Sequence, residues 1–199
     1  MSDDATLERM SAAVLDGMST AVNEHPRPWT EEEFFALGET GSRVELFDGS
    51  LLVSPAPTVR HQVLARRLAN VLEPAALEAG LDVYLGINVR LAPGQVPIPD
   101  LVLARPPADL NTLAVEARDI ALVCEIISTN AATDRVLKKH YYANAGIPWY
   151  LLVDPRGPVL DLFRLDGDKY VDEARATPGE RLLLTAPVVT ELDPVSLSQ

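Results

Sequence analysis

Ile120-Ala-Leu-Val-Cys-Glu-Ile-Ile127 decides the fold. Its apolar residues fall at both odd and even positions, the pattern of a strand covered on both faces. Downstream, Ala131 to Ala145 carries a helical period stopped by Gly146, and Trp149-Tyr-Leu-Leu-Val153 is a second buried-strand pattern. Upstream lie two more strands, Asp82 to Leu91 and Asp100-Leu-Val-Leu-Ala104, separated by a Pro-rich loop over 92–99. Before them, Leu64, Leu68, Val71 and Ala75 recur at helical spacing between a Thr58 cap and a Gly80 stop, and Pro74 is expected to kink or split that helix. The order is helix, strand, strand, strand, helix, strand, an α/β class with a central mixed sheet flanked by helices.

Hairpins extend this core at both ends. Arg43–Phe47 and Ser50–Ser54 flank Asp48-Gly49, and Val159–Leu165 and Lys169–Glu173 flank Asp166-Gly167; each dipeptide suits a tight turn. Arg181 to Thr185 makes a last strand. Thr30-Glu31-Glu32-Glu33 spells a capping box for a short helix that Gly38 closes. Residues 1–28 form a weakly ordered lead-in, and 29–199 are expected to be a single domain.

Composition bounds the function. The 199 residues include 29 acidic and 17 basic side chains, a net charge of −12, which argues against a partner gripped by bulk positive charge. The imbalance is uneven: from Arg60 to Tyr142 nine basic residues face nine acidic ones, so the flanks carry the whole excess. One cysteine, Cys124, and the absence of zinc-ligand spacing exclude a disulfide scaffold and a structural zinc site, and make the cytoplasm the expected compartment. No apolar run reaches the roughly 18 residues of a membrane span, and Asp3, Asp4 and Glu8 are unlike a signal peptide. No phosphate-cradling Gly-rich loop is present, so no nucleotide cofactor is expected.

Two carboxylates stand where charge is expensive. Asp100 opens a strand directly after Pro99, and Glu125 lies inside the apolar strand. Mg²⁺, held by one or two carboxylates with water and phosphate oxygens, would resolve that cost. An exposed strand end, or pairing of Glu125 with Arg135 or Lys138, would resolve it equally, and pattern alone leaves both open. Arg135, Lys138 and Tyr142, at i, i+3 and i+7, share one face of the next helix. A lysine aimed at Glu125 could stabilise charge on a phosphorane-like transition state or help deprotonate a metal-bound water; a solvated lysine is the bland alternative, and Lys139 fits it. Cys124 should point away from Glu125 into the core, because neighbouring strand side chains alternate.

Arg43-Val-Glu-Leu-Phe-Asp-Gly49, Ser54-Pro-Ala-Pro57, Arg60-His-Gln62, Pro99-Asp-Leu-Val102, Glu125-Ile-Ile-Ser128, Asp134-Arg135, Lys138, Tyr142, Ala145-Gly-Ile-Pro148 and Tyr150-Leu-Leu-Val-Asp-Pro155 follow one another in order. Together they resemble the Uma2 family of restriction-endonuclease-like proteins, within the PD-(D/E)XK nuclease superfamily, whose αβββαβ core matches the order of elements above. The resemblance implies Mg²⁺- or Mn²⁺-dependent hydrolysis of DNA phosphodiester bonds by a metal-bound water. It makes Asp100 and Glu125 the metal ligands, with the backbone carbonyl of Ile126 as a third. The superfamily lysine belongs two residues after the acid, where this chain has Ile127; the Uma2-like pattern moves it to Lys138, with Tyr142 one turn further on. Glu45 and His61 match the family's recurring acidic and histidine positions, His61 as a group that could orient water or phosphate. Bland alternatives are a salt bridge from Glu45 to Arg43 or Arg60, and a capping role for His61.

A homodimer is the simplest way to cut two strands. The competing reading is a catalytically silent nuclease-like fold kept as an interaction module, which the acidic composition favours. Hydrolysis of RNA or of a small phosphoester at the same residues is a third.

Overall fold

The computed structural model describes residues 27–38, 40–127 and 137–198. Its contacts gather into two units: the chain up to Pro57 together with Ala92–Ile98, and Thr58–Leu91 together with Pro99–Gln199. The expected lead-in lies almost wholly outside the described residues.

The first unit is built on local signals. Thr30 caps α1 (Glu31–Ala36), its hydroxyl accepting from the Glu33 amide at 3.2 Å while the Glu33 carboxylate accepts from the Thr30 amide at 3.0 Å. β1 (Arg43–Phe47) pairs antiparallel with β2 (Ser50–Ser54) across Asp48-Gly49, whose φ angles of 48° and 76° are those of the tight turn the dipeptide predicts. A Cβ on Gly49 would also lie 2.5 Å from the Pro28 side chain, so glycine is required there twice over. A third strand, β5 (Gln95–Val96), comes from within the Pro-rich loop and pairs with β1. Trp29, Phe34, Val44, Leu46, Leu51 and Val96 form this unit's own core.

The second unit holds a six-stranded mixed sheet. Its strands are β3 (Asp82–Leu85), β6 (Leu101–Ala104), β8 (Ile120–Ile126), β9 (Trp149–Asp154), β10 (Val159–Asp166) and β11 (Lys169–Ala176). Their spatial order is β11-β10-β9-β8-β6-β3; β8 and β9 run parallel and every other pair antiparallel. The parallel pair needs a crossover, and the described end of its helix is α3 (Lys139–Asn144), entered through a wider turn at Leu137–Lys138. Residues 131–136, the start of that predicted helix, lie outside the described residues.

The long helix α2 (Val59–Glu78) packs Leu64, Leu68 and Leu72 with Leu101, Leu103, Leu122 and Cys124 on one face of the sheet. On the other face Tyr142 of α3 packs with Val102, Val123, Tyr150 and Leu152. This is the predicted α/β order of helix, three strands, helix and strand about a mixed sheet, with the predicted hairpins added before and after it.

Several details differ from expectation. Pro74 does not split α2, which runs unbroken from Val59 to Glu78; Pro74 and Asn70, whose carbonyl loses its amide partner, are both exposed, so that carbonyl is not buried unpaired. The run Asp82–Leu91 breaks at Gly86, φ 59°, into β3 and a separate β4 (Asn88–Arg90), which pairs in parallel with β7 (Ala114–Glu116) from the excursion before β8. The second hairpin turns at Gly167-Asp168, since Asp166 pairs with Lys169. With φ 65° at Gly167, glycine takes the first central position of the turn, which displaces the expected turn by one residue. The strand near residue 182 is β12 (Leu182–Leu184); it pairs with β13 (Thr190–Leu192), and α4 (Pro194–Ser198) follows.

Candidate active site

Register places the two strand carboxylates together. Leu101 lies opposite Cys124 and Val102 opposite Val123, so one further antiparallel step sets Asp100 opposite Glu125. Both side chains then share the sheet face of Val102 and Val123, at a spacing of about 5 Å between opposed Cβ atoms. Asp100 is 6% exposed and Glu125 1%. Two carboxylates that close and that dry persist only if each has donors.

Asp100 finds its donors where β6 ends. The Ile127 amide donates to the Val153 carbonyl at 2.8 Å, so the preceding amide of Ile126 points the other way, past the end of β6. Asp100 Oδ2 accepts from it at 2.7 Å, standing in for the carbonyl of a longer strand. His61 Nε2 lies 3.1 Å from the same oxygen, and the tautomer protonated there donates to it. His61 is held at the first turn of α2, its own amide donating to the capping hydroxyl of Thr58 at 3.3 Å.

Glu125 finds its donors on the crossover helix. Lys138 and Tyr142 are four residues apart and so share a face. Lys138 Nζ donates to Glu125 Oε1 at 3.1 Å, and the Tyr142 hydroxyl donates to the same oxygen at 2.6 Å. Lys138 is 3% exposed, so this is a buried ion pair, and the solvated alternative for Lys138 does not hold. The Tyr142 ring packs 5.9 Å from that of Tyr150, which stacks on Phe163 at 5.7 Å. Sequence reasoning took Tyr150 only as strand core; its parity with Leu152, on the face that receives Tyr142, is the signal that could have placed it behind the site.

Lys139 is not the solvated residue expected of it: its ammonium sits 3.2 Å from the centroid of the Phe163 ring. Burial pulls its pKa down, while Asp172 and Asp161 pull it up. Cys124 lies on the opposite, apolar face as predicted; burial drives its thiol pKa well up, and the charges of Asp100 and Glu125 add to that. The Ile126 amide donates to Asp100, and its carbonyl, which the resemblance makes a third metal ligand, leaves the strand on the same edge as that amide. Glu45 belongs to the other unit, where its carboxylate, 1% exposed, accepts from the Ile98 amide at 2.7 Å. Arg135, expected on the face of Lys138, lies outside the described residues.

A carboxylate at the end of one strand, an opposed carboxylate in the next and a lysine from the crossover helix thus meet on one face of a mixed sheet. The chain belongs to the Uma2 family, described as "Putative restriction endonuclease", whose family model matches residues 31–196. A crystal structure from Anabaena variabilis, described as a "putative nuclease belonging to DUF820", is similar in fold, with a TM-score of 0.67 at 19% identity over 86% of this chain and 98% of that one. No curated protein matches the chain in sequence.

Proposed function

We propose that the chain is a metal-dependent endonuclease that hydrolyses phosphodiester bonds in DNA. The observation that carries this is the opposed, buried pair Asp100 and Glu125 with Lys138 held against it, in a chain of this family. Among the described residues no three His, Cys, Asp or Glu side chains are grouped to hold a metal. Two hard carboxylates suit Mg²⁺ or Mn²⁺, which complete their shell with water and phosphate oxygens. Asp100 and Glu125 would hold the ion, which when bound polarises the phosphate and acidifies a water.

The chain's own groups supply the rest. The Ile126 amide and His61 fix the Asp100 carboxylate, and Tyr142 and Lys138 fix that of Glu125, so both are oriented before substrate arrives. The Lys138 ammonium brings a positive charge to where negative charge grows on the phosphoryl oxygens, in surroundings dry enough to strengthen it. Two copies about a twofold axis would cut both strands of a duplex.

One observation favours a second reading: Glu125 Oε1 already takes two donors, as a purely structural buried pair would. Supercoiled plasmid and single-stranded DNA, incubated with Mg²⁺ or Mn²⁺, separate the two. Metal-dependent cutting that disappears in Glu125→Ala and in Lys138→Ala is expected. A pure wild-type preparation that cuts neither substrate would overturn the nuclease and leave the silent module.

A further inference from the structure

An acidic protein that handles DNA must set aside some cations for it, and the ion pairs show which. Arginines elsewhere on the described chain lie within 4.0 Å of a carboxylate, among them Arg90 with Glu116, Arg156 with Asp154 and Arg164 with Glu173. Arg60, Arg66 and Arg67 do not: among the described residues none of them has a carboxylate partner, although the chain carries 29 acidic side chains. Arg60 and Arg66 are exposed, and Arg67 only reaches the Leu197 carbonyl at 3.5 Å.

All three lie on the first half of α2, and helical geometry spreads them over an arc of about 120° and a rise of about 10 Å on its outward side. His61, the residue after Arg60 and about 3.8 Å from it between Cα atoms, turns inward from the same helix to Asp100. The basic arc therefore begins beside the paired carboxylates. It ends within the helix, because Glu73 and Glu78 occupy exposed positions of the second half and would repel a polyanion. Guanidinium groups kept out of ion pairs match phosphate oxygens in a fork geometry that lysine lacks.

We propose that Arg60, Arg66 and Arg67 form the surface that grips the phosphodiester backbone of the DNA strand presented to Asp100 and Glu125. This rests on the nuclease reading and adds to it where the substrate lies: along the first turns of α2.

The test is fluorescence anisotropy of a short fluorescein-labelled DNA duplex, titrated with the full chain at several salt concentrations, with Ca²⁺ replacing Mg²⁺. Each phosphate that the protein no longer neutralises lowers the slope of log affinity against log salt by about one, so Arg60→Ala/Arg66→Ala should flatten it by about two and weaken low-salt binding by about tenfold or more. Among the described residues neither side chain makes a hydrogen bond or an ion pair, so the double variant should fold as wild type. Arg164→Ala removes one equal charge from the Glu173 pair and should change the slope little. Glu125→Ala should still bind. Wild-type affinity and slope in Arg60→Ala/Arg66→Ala would overturn the proposal. Wild-type protein that binds with the expected slopes but does not cut would uphold the surface and overturn only the nuclease. Wild-type protein that neither binds nor cuts would overturn both.

Discussion

Replacing Lys138 by methionine keeps the length of the side chain and removes its charge, leaving Glu125 buried at 1% exposure without its 3.1 Å ammonium partner. Breaking a buried pair from one side costs about 3–5 kcal/mol. Here the Tyr142 hydroxyl, 2.6 Å from the same oxygen, remains as a charge-assisted donor, which puts the expected loss at the lower end, about 3 kcal/mol. For a chain of this size that corresponds to a fall in Tm of roughly 6–12 °C. Removing the hydroxyl instead, by Tyr142→Phe, costs about 1.5–3 kcal/mol, since one hydrogen bond to a charged group is lost. Adding Glu125→Gln to Lys138→Met should recover at least half of the Lys138→Met loss, because no charge is then left buried alone. Thermal melts of the four proteins by near-ultraviolet circular dichroism measure all of this. A Lys138→Met protein melting within about 2 °C of wild type would refute the argument, since it would mean that water, and not Lys138, neutralises Glu125.

Two further outcomes follow from shifted groups. Cys124 is buried and its thiol pKa is driven well up, so a thiol reagent should leave the native protein unlabelled at neutral pH and label one site per chain after unfolding; rapid native labelling would place the thiol at the surface. Glu33 is held down to about 2 from the ordinary 4.5, first by the Thr30 amide and then by Arg27, so its contribution to stability is present above about 4.5 and is lost as pH falls toward 2. The Tm gap between wild type and Glu33→Gln should accordingly narrow across that window; a gap independent of pH would mean that the capping box does not hold the carboxylate.

Where a fold element depends on residues close in sequence, the sequence predicted it well. The first hairpin follows from Asp48-Gly49, and the capped helix from Thr30 and Glu33, because each is settled by backbone angles and one local hydrogen bond. The second hairpin shows the limit of the rule: Asp166-Gly167-Asp168 holds two candidate turns one residue apart, and strand pairing selected the one that starts with glycine. The short pairs of β4 with β7 and of β5 with β1 were not legible, since two or three residues carry no period and their partners lie far along the chain. In the site, the cost of a carboxylate among apolar neighbours pointed to Glu125, and helical spacing pointed to Lys138 and Tyr142. The Ile126 amide gives no signal, because every residue but proline has one and only the end of β6 leaves this one for Asp100. Lys139 misled because periodicity places it beside Lys138 toward solvent, whereas Phe163, on the distant strand β10, comes up beneath it.

The division of donors bears on how the site works. Asp100 and Glu125 face each other with like charge in a dry setting, where repulsion between them is costly. A backbone amide and a histidine hold Asp100, and a lysine and a tyrosine hold Glu125. The donors come from different elements too, α2 and β8 for Asp100, the crossover segment for Glu125. Each carboxylate thus has donors of its own, drawn from separate elements of the fold. On the proposed metal-dependent reading, donors already in place would lower the reorganisation that binding an ion and a phosphate otherwise costs. It also gives the two sides different sensitivities: changes in α2 act on Asp100 through His61, while changes in the crossover helix act on Glu125 through Lys138 and Tyr142.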